Sequence, residues 1–386
     1  MAASLRRTNE DHRKFAGEGV DPVFLILTLM LLTVGLVMLY SASSAQSMFD
    51  TGYTISTKYL QKQVLCAAMG LAAMYVFSRI PVAFWHKLCW PLYGLTIALL
   101  LLVLVAGESV NGARRWISIG GIQFQPSEIA KFSLILLFSR LTRRFGPEAK
   151  TFRYGVLGFG MALLGILVPL ALEKHLSAIM LMGLVAVVMM FVAGTPMKWL
   201  AAGAALAMVF VVVYISFMGY AGDRVSAWLH PEQDPSDTGY QILQSLYAIG
   251  SGGLFGLGFG KSRQKYLYLP FQYNDYIFAI VCEELGLVGA VAIMALFAMF
   301  VIRGFWIALR ARDRFSTVLA AGITALFAVQ TVLNLCVVTN LLPSTGISLP
   351  FFSYGGTALA VNLGEIGILL AISRQRYQTK LQEVYL

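Results

Sequence analysis

The stretch PFQYNDYIFAIVCEELG, residues 270–286, sets one carboxylate, Asp275, between Tyr273 and Tyr276 where a loop runs into a long apolar segment. A charge at the edge of hydrocarbon is costly to desolvate, so it needs either a partner or a task. Which of the two applies depends on which side of which membrane it faces. A second stretch, NGARRWISIGGIQFQPSEIAKF at 111–132, supplies cations and an aromatic anchor, Trp116. Pro126-Ser127-Glu128 reads as a helix start with its acid favoured by the helix dipole, and Lys131, three residues on, shares a face with Glu128. These two are either an ion pair near the lipid surface or, with Arg114 and Arg115, a cationic pocket for a phosphorylated lipid headgroup, since guanidinium and ammonium groups are what phosphate oxygens require. Glu365 falls near the middle of the last apolar run. An acid there is a functional candidate, a structural partner of a Lys or Arg, or a neutral buried carboxyl. Of Glu283 and Glu284, one is expected to face the bundle interior and one to serve helix packing.

These residues are carried by a chain of 386 residues that is 58% hydrophobic and only 12% charged, with a mean hydropathy of +0.73. A soluble fold could not hide that much apolar surface, so this is an integral membrane protein. Ten runs are long enough to cross about 30 Å of hydrocarbon as helices: 23–43, 63–78, 88–106, 128–142, 154–172, 176–193, 199–217, 276–302, 316–338 and 354–373. Backbone groups in lipid must be satisfied internally, and the runs are too long for barrel strands, so the expected class is all-α, polytopic, with about ten transmembrane helices. The net charge of +10 is spread in short clusters beside the spans, which favours a topology signal over nucleic-acid binding. Most Lys and Arg fall on one side when both termini are cytoplasmic.

The expected organisation is a cytoplasmic tail at 1–22, a helical domain at 23–373 containing a large extracytoplasmic loop at 218–275, and a cytoplasmic tail at 374–386. Within the loop, YQILQSLYAI has the apolar spacing of a short interfacial helix. YSASSAQS after the first span resembles a signal-peptidase site, but the preceding apolar stretch is too long for a signal peptide. GGLFGLGFGKS (252–262) ends like a phosphate-binding loop yet has Phe255 where such a loop needs glycine, so its glycines are read as close backbone packing or a tight re-entrant turn. TNLLPSTGISLPFFSYGGTAL (339–359), without charge and with two prolines, is either a broken element entering the membrane from outside or a plain connecting loop. Asn334 and Asn362 are read as interhelical hydrogen-bonding groups. Cys66, Cys89, Cys282 and Cys336 all sit in apolar segments, so neither disulfides nor a cysteine metal site is expected. Glu173, Lys174 and His175 read as a short polar outer turn.

GARRWI with QPSEIAKF, GYQILQSLYAIGSGGLFGLGFGKSRQKYLYLP, NDYIFAIVCEELG and TGISLPFFSYGGTAL, in that order, resemble the SEDS (shape, elongation, division and sporulation) family, more closely its FtsW and SpoVE branch than RodA. The form PFQYND departs from the commoner family loop but keeps the aspartate. The resemblance implies a multi-pass protein of the bacterial cytoplasmic membrane, a peptidoglycan glycosyltransferase that polymerises lipid II on the outer face. It implies the essential acid at Asp275, substrate handling by Arg115, Trp116, Glu128 and Lys131, and a class B penicillin-binding protein as transpeptidase partner. Other division or sporulation membrane proteins are further partners; nucleic acid is not one. No cofactor is implied beyond a divalent cation, Mg2+ or Mn2+, whose need is open. The chemistry agrees: forming a β-1,4 link from an α-linked glycosyl diphosphate inverts the anomeric carbon, so a single displacement needs one base, and cations meet the charge growing on the diphosphate. Two other readings of such a chain are a lipid II flippase or other transporter, resting on the spans and Glu365, and a non-catalytic scaffold for a transpeptidase.

Overall fold

The computed structural model describes residues 19–110, 113–119, 122–206, 226–232 and 238–384. Three long helices open the fold: α1 (Pro22–Asp50), α2 (Lys58–Arg79) and α3 (Val82–Ala106). A small antiparallel sheet follows, β1 (Glu108–Val110), β2 (Ala113–Ile119) and β3 (Ile122–Phe124), in sequence order. Then come α4 (Pro126–Phe145), α5 (Phe159–Leu172, entered through a π-helical turn at Arg153–Gly158) and α6 (Leu176–Ala193). A further helix, α7, occupies the described residues 197–206. The chain ends in α8 (Thr238–Gly252), α9 (Ile277–Leu309), α10 (Arg314–Val338) and α11 (Gly356–Val384).

Among the described residues, eight helical stretches are long and apolar enough to cross a membrane, and they coincide with eight of the ten expected spans. The expected span 128–142 is α4, which carries five charged residues, Glu128, Lys131, Arg140, Arg143 and Arg144, and is not among those eight. It is nevertheless buried along most of its length, packed against α3, α6 and α10 at the centre of the bundle. The expected span 199–217 lies largely outside the described residues. Among the described residues, the sheet is the departure from all-helical architecture. Its signal was present: alternating residues flank Gly120-Gly121, the pattern of a two-residue hairpin, and Ile119 does pair with Ile122.

Small residues bring the helices close. A Cβ at Gly70 on α2 would stand 2.7 Å from Leu363 of α11, and one at Gly367 only 2.5 Å from the Met74 carbonyl. That is the close approach by which helices associate where lipid offers no hydrophobic drive. One end of the bundle is tied by Asp21. Its carboxylate caps α1 by accepting from Phe24 N at 3.0 Å and takes a two-pronged contact from Arg303 of α9, at 2.8 and 3.0 Å, while its own N–H donates to Ser373 of α11. Arg303 also stacks on Trp306, 3.8 Å from the ring centre. Asp275 precedes α9 at its other end, on the order of 40 Å along the helix at 1.5 Å per residue.

Candidate functional site

Asp275 is half-buried in the turn that leads into α9. Asn334 of α10 donates to the Asp275 carbonyl and to the Ile347 carbonyl, both at 2.7 Å, so one buried amide clamps the aspartate's backbone to the 339–355 segment. That segment is a bonded partner of the aspartate loop along its length. Ser353 Oγ donates to the Asn274 carbonyl at 2.6 Å, Tyr354 N to the Tyr273 carbonyl at 2.9 Å, and Gln63 of α2 bridges Ser353 O and Gly355 N. Much of it is buried: Ile347, Leu349, Phe351, Phe352 and Ser353 are each 5% exposed or less. The segment is therefore enclosed by protein, the condition that the broken-element reading requires. Gly346, at φ +72, faces the carboxylate: a Cβ there would stand 3.3 Å from Asp275 Oδ2. Tyr59, Tyr273 and Tyr354 form a ring cluster beside it, with centroids 4.5–5.9 Å apart. Burial pushes the Tyr273 and Tyr354 hydroxyls up, which keeps both protonated.

Glu128 and Lys131 do pair, at 2.7 Å, but their side chains are only 12% and 6% exposed. The pair is therefore inside the bundle, not at the lipid surface. Glu365 of α11 is 2% exposed and neither of its oxygens has a hydrogen-bond partner among the described residues. The charges of Lys131 and Glu128 both reach it, so three ionisable groups from two helices share the interior. Asn362 lies one turn earlier on α11 and is also buried.

On β2, Arg114 donates to the Leu104 carbonyl at 3.2 Å and Arg115 to the Lys174 carbonyl. Successive strand side chains point to opposite faces, so Trp116 does not share a face with Arg115. Arg115 instead leads to the turn between α5 and α6. That stretch reads in sequence as a short polar outer turn; Lys174 takes a left-handed conformation (φ +55), and its neighbours are turned inward: Glu173 is 3% and His175 8% exposed. Burial pushes the Glu173 carboxyl up to about 8, against the opposing pull of Arg115. Burial lowers His175 to about 3, helped by the charges of Arg115 and Lys131. At neutral pH the imidazole is uncharged and Glu173 is mostly so. Because folding raises the Glu173 pKa from its ordinary 4.5, the folded chain holds the extra proton between about 4.5 and 8, and stability must fall as pH rises through that window. His175 gives the opposite slope, but only below its ordinary 6.5. Unfolding followed from pH 6.5 to 8 is therefore expected to show falling stability, and Glu173→Gln is expected to flatten that slope.

The glycine-rich loop ahead of Asp275 is held by the two acids of CEELG. Glu283 accepts from Arg263 N at 2.9 Å, Gln264 N at 3.3 Å and the Ser262 hydroxyl. Glu284 accepts from Ser41 of α1 at 2.6 and 2.7 Å and pairs with Lys265 at 3.2 Å, with side chains 0% and 4% exposed. Both acids thus face inward, contrary to the expected division of labour. The glycines do pack backbone on backbone: a Cβ at Gly256 would meet the Glu284 carbonyl at 2.1 Å, and Gly286 (φ +66) breaks α9 where the loop crosses it. Sequence reasoning missed Lys265 because its partner lies nineteen residues away, a spacing that no helical or strand period reports.

Asp275, Arg115, the 173–175 turn, Lys131 and the 339–355 segment are thus gathered toward one end of the bundle. Ser177 of α6 joins two parts of this group by donating to the Thr345 carbonyl, next to Gly346. Among the described residues, no three His, Cys, Asp or Glu side chains are grouped to hold a metal. Fold and site together define a polytopic membrane protein with a buried polar site beneath one face. The profile of the family described as "Cell cycle protein", covering FtsW, RodA and SpoVE, matches residues 22–378, and the chain belongs to this SEDS family. It is 40% identical over 361 residues to the probable peptidoglycan glycosyltransferase FtsW of Geobacter sulfurreducens, covering 92% of this chain and 95% of that one. It is 37% identical over 357 residues to the stage V sporulation protein E of Bacillus subtilis, covering 92% and 97%. Among solved structures it resembles a chain of a peptidoglycan synthase complex studied for its coordination of polymerization and crosslinking (TM-score 0.78, 29% identity, 93% and 99% covered). It also resembles the rod shape determining protein RodA of Thermus thermophilus (TM-score 0.68, 29% identity, 93% and 98% covered). The higher identities to FtsW and SpoVE relatives accord with that branch.

Proposed function

We propose that this chain polymerises lipid II into glycan strands by inverting transfer at the extracytoplasmic face of the bacterial cytoplasmic membrane, with Asp275 as the general base. Relatives named as peptidoglycan glycosyltransferases support the reaction class. The observation that carries the residue assignment is the placement of Asp275: a half-buried carboxylate at a loop–helix junction, clamped by Asn334 and facing a glycine that leaves room in front of it. Lipid II keeps its sugars just outside the bilayer and its polyprenyl tail within, so a base for its chemistry must stand at the outer end of a span. The charge bias of the loops supports the reading that this end faces outward.

In the proposed reaction, Asp275 takes the proton of the acceptor 4-hydroxyl as that oxygen attacks the anomeric carbon and the bond to the diphosphate breaks. No second carboxylic acid is required, because the diphosphate is already a good leaving group. Arg115 and Lys131 supply positive charge for it. A divalent ion, Mg2+ or Mn2+, stays outside this scheme, and no step is routed through one. We infer a class B penicillin-binding protein as partner, supported by the similarity to a chain of a complex that coordinates polymerization with crosslinking.

The test is glycan synthesis by the purified protein from labelled lipid II: a polymerase makes strands, whereas a flippase or a silent scaffold makes none. Gly346→Ala should probe the space before the base. The left-handed conformation costs a side chain about 1–2 kcal/mol, and the new methyl would press on the Asp275 carboxylate. The variant is expected to lose that much stability in thermal unfolding and also to polymerise more slowly than an equally destabilised variant remote from the site.

A further inference from the structure

The end of the bundle opposite Asp275 carries a cavity that the reaction drawn above does not use. It holds about 220 Å³, and its lining includes His86 of α3, Arg143 of α4, Arg312, Asp313 and Phe315 at the start of α10, and Gln375 of α11. Four helices therefore meet around it. Other arginines at this end are spent on protein. Arg140 donates to the His86 carbonyl and Arg314 to the Ala193 carbonyl, both at 2.6 Å, Arg303 pairs with Asp21 at 2.8 Å, and Arg310 lies 4.0 Å from the Trp306 ring centre. Arg143 and Arg312 differ: among the described residues neither has a hydrogen bond, an ion pair or a ring contact.

The lining also contains one acid. Asp313 caps α10 by accepting from Ser316 N at 2.7 Å, and no ion pair joins it to either arginine among the described residues, so two positive charges stand against one negative. The His86 ring makes an edge contact with Phe315, centroids 5.2 Å apart, and its nitrogens make no hydrogen bond among the described residues. The charges of Arg140 and Arg143 reach that ring, opposed by Asp313. Two unspent guanidinium forks and an idle imidazole favour an anion rich in acceptor oxygens.

Size and depth narrow the choice. The volume falls below the roughly 300–1,000 Å³ of sites for drug-sized molecules, which suits a single phosphodiester headgroup and not a nucleotide. Two membrane-crossing helices begin here, at Val82 and Arg314, so the cavity lies where hydrocarbon gives way to water. Phe84, beside the lining, is 48% exposed and offers apolar surface to an acyl chain. A phosphate carried on a lipid is held at this depth by its tails, and basic pockets between membrane helices take such headgroups.

We propose that this cavity binds the headgroup of an anionic phospholipid, Arg143 and Arg312 pairing with its phosphate oxygens and the His86 imidazole donating to one of them. The lipid then bridges α3, α4, α10 and α11 at the end of the bundle remote from Asp275. The site stands whether or not the chain polymerises lipid II.

The test is titration of the purified full chain, in a neutral detergent, with a fluorescent short-chain phosphatidylglycerol. Phosphatidylcholine of the same chain length, whose choline cation the arginines repel, and soluble glycerophosphate are the parallel probes. Wild type is expected to bind phosphatidylglycerol more tightly than either. Arg143→Ala combined with Arg312→Ala is expected to weaken that binding about tenfold, since each cation at a membrane surface contributes severalfold. Arg144→Ala combined with Lys150→Ala removes the same charge from exposed side chains outside the cavity and is expected to change binding less than about twofold, distant charges being screened by salt. All four side chains are exposed, so elution and lipid-free unfolding should match wild type in both double variants. Equal losses in the two would reduce the effect to general charge attraction and overturn the site, as would equal affinity for the two lipids. Glycerophosphate binding as tightly as phosphatidylglycerol would overturn the lipid as its source.

Discussion

Purified Asp275→Asn protein is expected to polymerise lipid II about 10²–10⁴-fold more slowly than wild type, the range in which a positioned general base contributes. Asparagine has the same shape, so the clamp from Asn334, which reads the backbone carbonyl, and the contact with Gly346 both survive. What is lost is the oxygen that accepts a proton. Elution and unfolding should therefore match wild type, and substrate affinity should change little. Asp275→Glu is expected to recover only part of the rate, because the extra methylene drives the carboxylate toward the Gly346 segment. A scaffold would tolerate the asparagine without consequence, so cellular function in the variant, with the partner still bound, would favour that reading instead.

The second large effect is on stability. Glu284→Ala would leave the Lys265 ammonium, 4% exposed, without its counter-charge and the Ser41 hydroxyl without its acceptor. Removing one partner of a buried ion pair typically costs about 3–5 kcal/mol. Thermal unfolding in detergent should register a loss of that size. Glu284→Leu combined with Lys265→Met should recover much of it, because no bare charge then remains. The loop that Glu283 and Glu284 anchor leads directly to Asp275, so polymerisation is expected to fall along with stability in the single variant. Unfolding of Glu284→Ala at the wild-type temperature would show that this cluster does not hold the loop.

The membrane spans were legible because hydrocarbon imposes a length and an apolarity that a sequence cannot disguise. The position of Asp275 at the mouth of α9 was legible for the converse reason, since an acid there has no cheap explanation; its role as a base is what the asparagine variant tests. For the glycines of GGLFGLGFGKS the sequence left close backbone packing or a tight re-entrant turn, and Gly252 and Gly256 do pack against the backbone of α9. What stayed hidden depends on contacts distant in sequence. Glu173 and His175 looked like loop residues because nothing local says that the left-handed Lys174 turns its neighbours inward. The burial of the Glu128–Lys131 pair follows from α4 standing at the centre of the bundle, which its charged composition argues against. Lys265 and Glu284 meet because the loop that precedes α9 folds back along its first turns, bonded there through Leu257 N to Glu283 O and Gly258 N to Glu284 O. The hairpin could have been found, and the alternation around Gly120-Gly121 was the overlooked clue.

The central claim is that this chain itself forms β-1,4 glycan bonds and uses the Asp275 carboxylate to do so. It is tested most directly by incubating purified wild-type and Asp275→Asn proteins with labelled lipid II in proteoliposomes, then digesting the product with a muramidase specific for β-1,4 links. The account predicts strands from wild type that the muramidase cuts fully to disaccharide units, and almost none from the variant. Strands that resist digestion, strands made equally well by the variant, or no strands from wild type would contradict it.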